Sequence, residues 1–327
     1  MHNFVRKGQC TLCCERDDAS RHLVPTTFCD FSSRPAWADT AFPTHTFLEN
    51  EGGKHMRPMT SPWLQHWQEL GFLHTRHHFD SMHCLYKSGT ASDLLGSVLA
   101  ELTYWDYDYA DRAVSDDGII NERLRVLFTK FVKFLDDSHL GHHRLSVWTV
   151  NRICWTKRTV FPTLSDSYKC GDCRNMVLWL ADHLIETATA KHALGKLTRY
   201  EATRCTCVWS LASWIQCLGN TGPLLTREEQ GDLHDFGMRY LKTYHVLATI
   251  NLYSRRRTLY RLRPKLHSYH HIILQVLHDR ESPRTHEVWG EETLMGIIRN
   301  ITRRCHSATA MKRTCERCIG MLAEKII

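Results

Sequence analysis

Apolar residues recur along much of this chain at steps of three and four. Leu94, Leu95, Val98, Leu99 and Leu102 mark one face of a helix, with Thr90 or Ser92 placed to cap it. Leu124, Leu127, Phe128, Phe131 and Leu135 do the same over 121–135. Further helices are expected over 175–190, 200–218 and 227–252, and two more over 293–326 with a break near His306 and Ser307. Strand-like alternation is scarce. The best strand candidates are 144–153 and 258–262.

Before residue 79 the pattern changes. Pro25, Pro35, Pro43, Pro58 and Pro62 interrupt any helical period, because proline fixes φ and removes an amide donor. The expected architecture is therefore mainly α: a multi-helical body over 79–327 and a loop-rich N-terminal arm over 1–78, rich in Cys, Pro and Trp. Trp37, Trp63 and Trp67 are suited to pinning the arm by burying their indoles.

Composition adds bounds. The chain has 327 residues, of which 43% are hydrophobic and 24% charged, which is globular rather than disordered. No apolar run reaches the roughly 20 residues needed to cross a bilayer. The opening MHNFVRKGQC lacks the apolar core of a secretory signal, so an intracellular location and no membrane partner are expected. In a reducing compartment, the 14 cysteines are read as free or metal-bound. A net charge of +7 suits an anionic partner without placing it.

The candidate zinc site is Cys10-Thr-Leu-Cys13, completed by His22 and Cys29. Zinc takes tetrahedral N and S ligands, and a C-x-x-C turn brings two thiolates onto one ion. The alternative is ordinary thiols in a loop. Cys170–Cys173 and Cys315–Cys318 repeat the spacing and are read as buried apolar thiols. His267, His270 and His271 share one helical face after Pro264, a residue suited to the first helical position.

The run Arg255 to Lys265 has six cations in eleven residues and no acid, with Tyr253 and Tyr260 interleaved. Arginine forks match phosphate oxygens and aromatic faces stack on bases, so this run is the candidate nucleic-acid surface. A solvated basic face is the alternative. Asp80-Ser-Met-His83 has two readings: an ordered Asp–His pair fixing the imidazole tautomer, or a helix cap beside a packed histidine. Glu291 and Glu292 suit the first turn of a helix, and catalysis there would need partner carboxylates.

Several of these segments, in order from about Cys10 to Leu322, resemble cut-and-paste DNA transposases of the CACTA-like and related mobile-element lineage. FDSMHCLYKSGTASDLLGSVLAEL resembles their D-x-x-H segment and the helix after it. RLRPKLHSYHH resembles their R-P-K-x-H block, and VWGEETLMGIIRN their last acidic segment. The resemblance implies a remnant of an RNase H-like core with a helical insertion. It also implies a DNA partner, a nuclear location and, if active, magnesium-dependent strand cleavage or transfer. By position, Glu292 would be the last catalytic acid and Asp80 and His83 a structural pair. Arg255, Arg256, Arg257, Arg261, Arg263, Lys265 and His267 would face DNA. The strands and aspartates that should precede the D-x-x-H segment have no counterpart in the proline-rich arm. The expectation is thus a degenerate, catalytically incomplete C-terminal portion. A zinc-stabilised helical adaptor without a nucleic-acid role is the other reading.

Overall fold

The computed structural model describes residues 79–105, 116–140 and 145–287, with short pieces at 4–5, 9–10, 30–32, 35, 298, 302–303, 309 and 311–317. The described residues are mainly helical. The chain divides into two compact units, Met1–Thr285 and His286–Ile327. In the second, residues 311–317 are helical and Thr314 donates to the Thr302 hydroxyl at 3.1 Å. The boundary expected at 78/79 lies at the edge of the described residues.

In the first unit the helices are α1 Ser81–Leu85, α2 Thr90–Tyr104, α3 Asp117–Asp137, α4 Cys170–Ala193, α5 Arg199–Asn220, α6 Arg227–Thr249 and α7 Pro264–His278. A π-helical turn, Ile250–Ser254, extends α6. Two short strands, β1 Phe4–Val5 and β2 Gln9–Cys10, pair antiparallel with Phe4 opposite Cys10.

Helix ends follow local chemistry. Thr198 and Thr226 each form a capping box with a glutamate three residues on, Glu201 and Glu229. Asp116 caps α3 by accepting from the Gly118 amide at 2.7 Å. Pro264 opens α7, as its missing amide costs nothing there. Gly89 is the N-cap of α2, ahead of the expected Thr90 or Ser92, while the Ser92 hydroxyl donates to the Tyr86 carbonyl at 2.7 Å.

The α4, α5 and α6 helices pack in sequence, and α7 lies against both α6 and α1. The α2 helix sits at the centre, touching α1, α3 and α4. Almost every residue from Thr90 to Thr103 is buried there, polar ones included. The expected face of α3 is present: Leu124, Leu127, Phe131 and Leu135 are buried. The strand candidates are not strands. Segment 145–155 is a turn-rich wrap anchored by Trp148, which stacks on Phe131, and by Ile153 and Trp155. Over 258–262, Leu259 and Tyr260 plug into the core from irregular backbone, and Tyr260 has φ 56°. Alternation in both came from isolated anchors, with no neighbouring strand to pair among the described residues.

Candidate functional site

The D-x-x-H segment and the cationic run, far apart in sequence, meet at one corner around α1, α2 and the start of α7. Asp80 caps α1 by accepting from the Met82 amide at 3.0 Å, and its other carboxylate oxygen is paired with His83 Nδ1. One carboxylate oxygen thus serves the helix cap and the other faces the imidazole. Asp80 is buried and His83 half-buried.

Lys265 reaches across to the C-terminal end of α1. Its ammonium donates to the carbonyls of His83 at 2.8 Å and Lys87 at 2.6 Å, groups that a helix end leaves open. Burial lowers the Lys265 pKa. Arg263 donates to the Ser88 carbonyl at 2.8 Å and from Nη2 to Asp93 Oδ1 at 2.8 Å, and its Nε lies 2.7 Å from Oδ2 as an ion pair. Asp93 is fully buried, and that burial pushes its carboxyl up to about 6 against the pull of Arg263.

About two turns along the same helix, Glu101 is the centre of a second buried cluster. It accepts from the hydroxyls of Tyr200 and of Tyr260, the latter at 2.6 Å, and from Arg204 at 3.2 Å. Asn251, in the π-helical turn, donates to the Tyr200 hydroxyl at 2.6 Å. Burial and the Glu101 carboxylate push both phenols up, so they remain donors. Arg255 lies over the Tyr200 ring at 3.5 Å, with its guanidinium 3.9 Å from Glu101.

These contacts sort the cationic run. Arg263 and Lys265 hold the corner together, and Arg255 and Arg257 stack on Tyr200 and Trp105. Arg256 and Arg261 are exposed and make no ion pair among the described residues. His267 is buried, with its Nε2 3.1 Å from that of His271. His270 is also buried, and burial drives its pKa well down, helped by His267, His271, His234 and Lys242. Phe31 meets His245 and His270 edge-on, and Phe79 lies against His271.

For the remaining candidates, Cys10 lies on β2, while Cys13, His22, Cys29 and Glu292 fall outside the described residues. Cys170 and Cys173 are buried thiols outside any disulfide in the first turn of α4, and burial pushes Cys173 up to about 12. Among the described residues no group of three or more His, Cys, Asp or Glu side chains is arranged to hold a metal ion, and no helix is long and apolar enough to cross a membrane.

Sequence reasoning missed Asp93, Glu101, Tyr200 and Asn251. Glu101 had a visible signal: it falls three residues after Val98 on the apolar stripe of α2. A carboxylate there must be buried, and a buried carboxylate needs partners.

Asp93 sets a pH expectation. Its folded pKa, about 6, lies above the ordinary 3.8, so its contribution to stability is full below about 3.8 and is lost as pH rises through about 6. The loss is about 3 kcal/mol at most. The stability gap between wild type and Asp93→Asn should therefore narrow from pH 4 to pH 7, measured by urea unfolding of both proteins. A widening gap would mean that Arg263 keeps the carboxylate ionised throughout.

No protein-family model, curated protein or solved structure matches this chain in the comparisons made with each.

Proposed function

We propose that this chain is a mobile-element-derived protein that associates with DNA through its positive surface and lacks a working two-metal catalytic centre. The observation that carries the reading is the meeting of the transposase-like blocks. Lys265 and Arg263 of the R-P-K-x-H block close onto the carbonyls and Asp93 that follow the D-x-x-H motif. Segments with that likeness, separated by about half the chain, are built into one another as parts of one scaffold.

The carboxylates described in that corner favour the non-catalytic half of the proposal. Asp80 is taken by His83 and the α1 cap, Asp93 by Arg263, and Glu101 by two phenols and Arg204. Divalent ions for phosphoryl transfer need carboxylates that converge and are free of other cations. A nuclear location goes with this reading.

The test is binding to a labelled DNA duplex across a salt series. Affinity should fall linearly on a log–log plot, since each phosphate contact releases counterions. Arg256→Gln with Arg261→Gln should weaken binding and flatten the slope by about two. Salt-insensitive binding, or none, removes the DNA reading. Magnesium-dependent nicking that Glu292→Gln abolishes overturns the non-catalytic half.

The adaptor reading has one observation in its favour. Cys10 lies on the second of two short paired strands, three residues before Cys13, and two short strands need an anchor to persist. Zinc bound to Cys10, Cys13, His22 and Cys29 would supply one. It predicts zinc in the purified protein, loss of order on chelation and no affinity for DNA.

A further inference from the structure

We infer that α6 carries a docking site for the phosphodiester backbone of duplex DNA, separate from the Arg255–Lys265 run. The site is a cleft of about 340 Å³ lined, among the described residues, by His234, Asp235, Met238, Arg239, Lys242 and Thr243. This rests on the DNA reading above and places its contacts.

The charges are of the right kind and are free. Arg239 and Lys242 are exposed and make no ion pair among the described residues. The carboxylate in the lining, Asp235, is already engaged by the His234 ring at 3.1 Å. Thr243 turns its hydroxyl inward to the Arg239 carbonyl at 2.7 Å, leaving the cations as the cleft's open donors. In the Arg255–Lys265 run, by contrast, the fold consumes Arg263 and Lys265 as internal ties.

The geometry is ordered beforehand. Arg239 lies over the Trp209 ring at 5.5 Å, and that indole is itself held edge-on by Phe236 at 5.6 Å. A guanidinium resting on an aromatic face is partly ordered already and loses less freedom on binding. Arg239, Lys242 and Val246, at i, i+3 and i+7, share the exposed face of α6. Positions three apart on a helix are about 4.5 Å apart along its axis, so two long cations there can straddle one strand's backbone.

Met238 is buried, so among the described residues the lining offers no open apolar anchor of the kind that a peptide side chain would need. A shallow cationic cleft without such an anchor suits sequence-independent phosphate contact.

The experiment is fluorescence anisotropy with a short labelled duplex at several salt concentrations, on the full chain. It compares wild type, Arg239→Gln with Lys242→Gln, and Arg256→Gln with Arg261→Gln. These side chains are exposed, and circular dichroism and melting checks that each variant keeps its fold. The Arg239/Lys242 pair should weaken binding at least about tenfold at low salt and flatten the log–log slope by about two. If wild type binds and only the Arg256/Arg261 pair loses affinity, the α6 site is wrong while the DNA reading stands. If wild type does not bind, the DNA reading fails and this inference with it. If polyglutamate displaces the duplex at equal charge concentration and binds more tightly, the cleft is an acidic-peptide site and the inference is overturned.

Discussion

Replacing Glu101 with alanine is expected to lower the stability of the helical unit by about 3–5 kcal/mol, more than any other single side-chain truncation considered for this fold. The substitution removes the acceptor for Tyr200, Tyr260 and Arg204 together, and all of these groups are buried or nearly so. The Arg204 side chain is 4% exposed, so water cannot take over its charge. Arg255 would lose its nearest carboxylate but keeps its seat over the Tyr200 ring and partial access to solvent, so its share of the cost is small. For a unit of this size the midpoint of thermal unfolding should fall on the order of 10 °C. Glu101→Gln keeps the shape and the hydrogen-bond acceptor but not the charge, and should cost roughly half as much. Adding Arg204→Met to Glu101→Ala should recover part of the loss, because the uncompensated charge then disappears with its partner. If Glu101→Ala alone melts within a degree or two of wild type, the cluster is not a stabilising element.

That cluster also marks where the sequence is legible and where it is not. The apolar stripes of α3 and α5 were readable because each buries one face against neighbours, and a period near 3.6 records this directly. The α2 helix is different. It is buried nearly all round, so its stripe understates its burial. Ser92, Asp93 and Ser97 look like the solvent face of an amphipathic helix, and Glu101 on the edge of its stripe signals burial without saying what answers its charge. Those partners are remote: Arg263 is 170 residues from Asp93, and Arg204 is 103 from Glu101. No local periodicity encodes such a pairing. The cationic run shows the same limit from the other side. Its density of arginines was plain in the sequence, but which of them the fold would spend on Asp93, on carbonyls or on aromatic rings was not. The D-x-x-H motif was the opposite case, because a cap and a pair at i and i+3 are both local contacts, and the sequence offered each of them as a reading. The candidate contacts on α6 left no mark beyond scattered cations, since Arg239 and Lys242 become one site only when the helix turns them to a common face.

The second large effect expected is at Gly96, and its sign runs against helix propensity. Glycine inside a helix costs about 1 kcal/mol relative to alanine, so Gly→Ala in α2 would ordinarily stabilise. Here a Cβ would lie 2.6 Å from both the Cα and the N of Thr163 and 2.7 Å from the Pro162 carbonyl carbon. These are backbone atoms and cannot rotate away. The segment is also pinned, with the Thr163 amide donating to Ile153 at 3.0 Å and the Leu164 amide to the Ser92 carbonyl at 3.1 Å. Moving it far enough to admit a methyl group breaks or lengthens those bonds and overpacks the centre of the fold, at about 2–4 kcal/mol net of the propensity gain. Gly231 is the internal control. It lies within α6, and an added Cβ would meet nothing within 4 Å, so Gly231→Ala should stabilise by roughly 0.5–1 kcal/mol. The pair is read by chemical unfolding at constant slope. Opposite signs are expected, and equal stabilisation by both would mean that the 162–164 segment yields and does not clamp α2. Because Asp93 and Glu101 stand on either side of Gly96 on the same helix, a shift of α2 away from Thr163 would also loosen the Arg263 clasp and the Tyr260 contact. Gly96→Ala should therefore be less than additive with Glu101→Ala, since the first substitution already surrenders part of what the second removes.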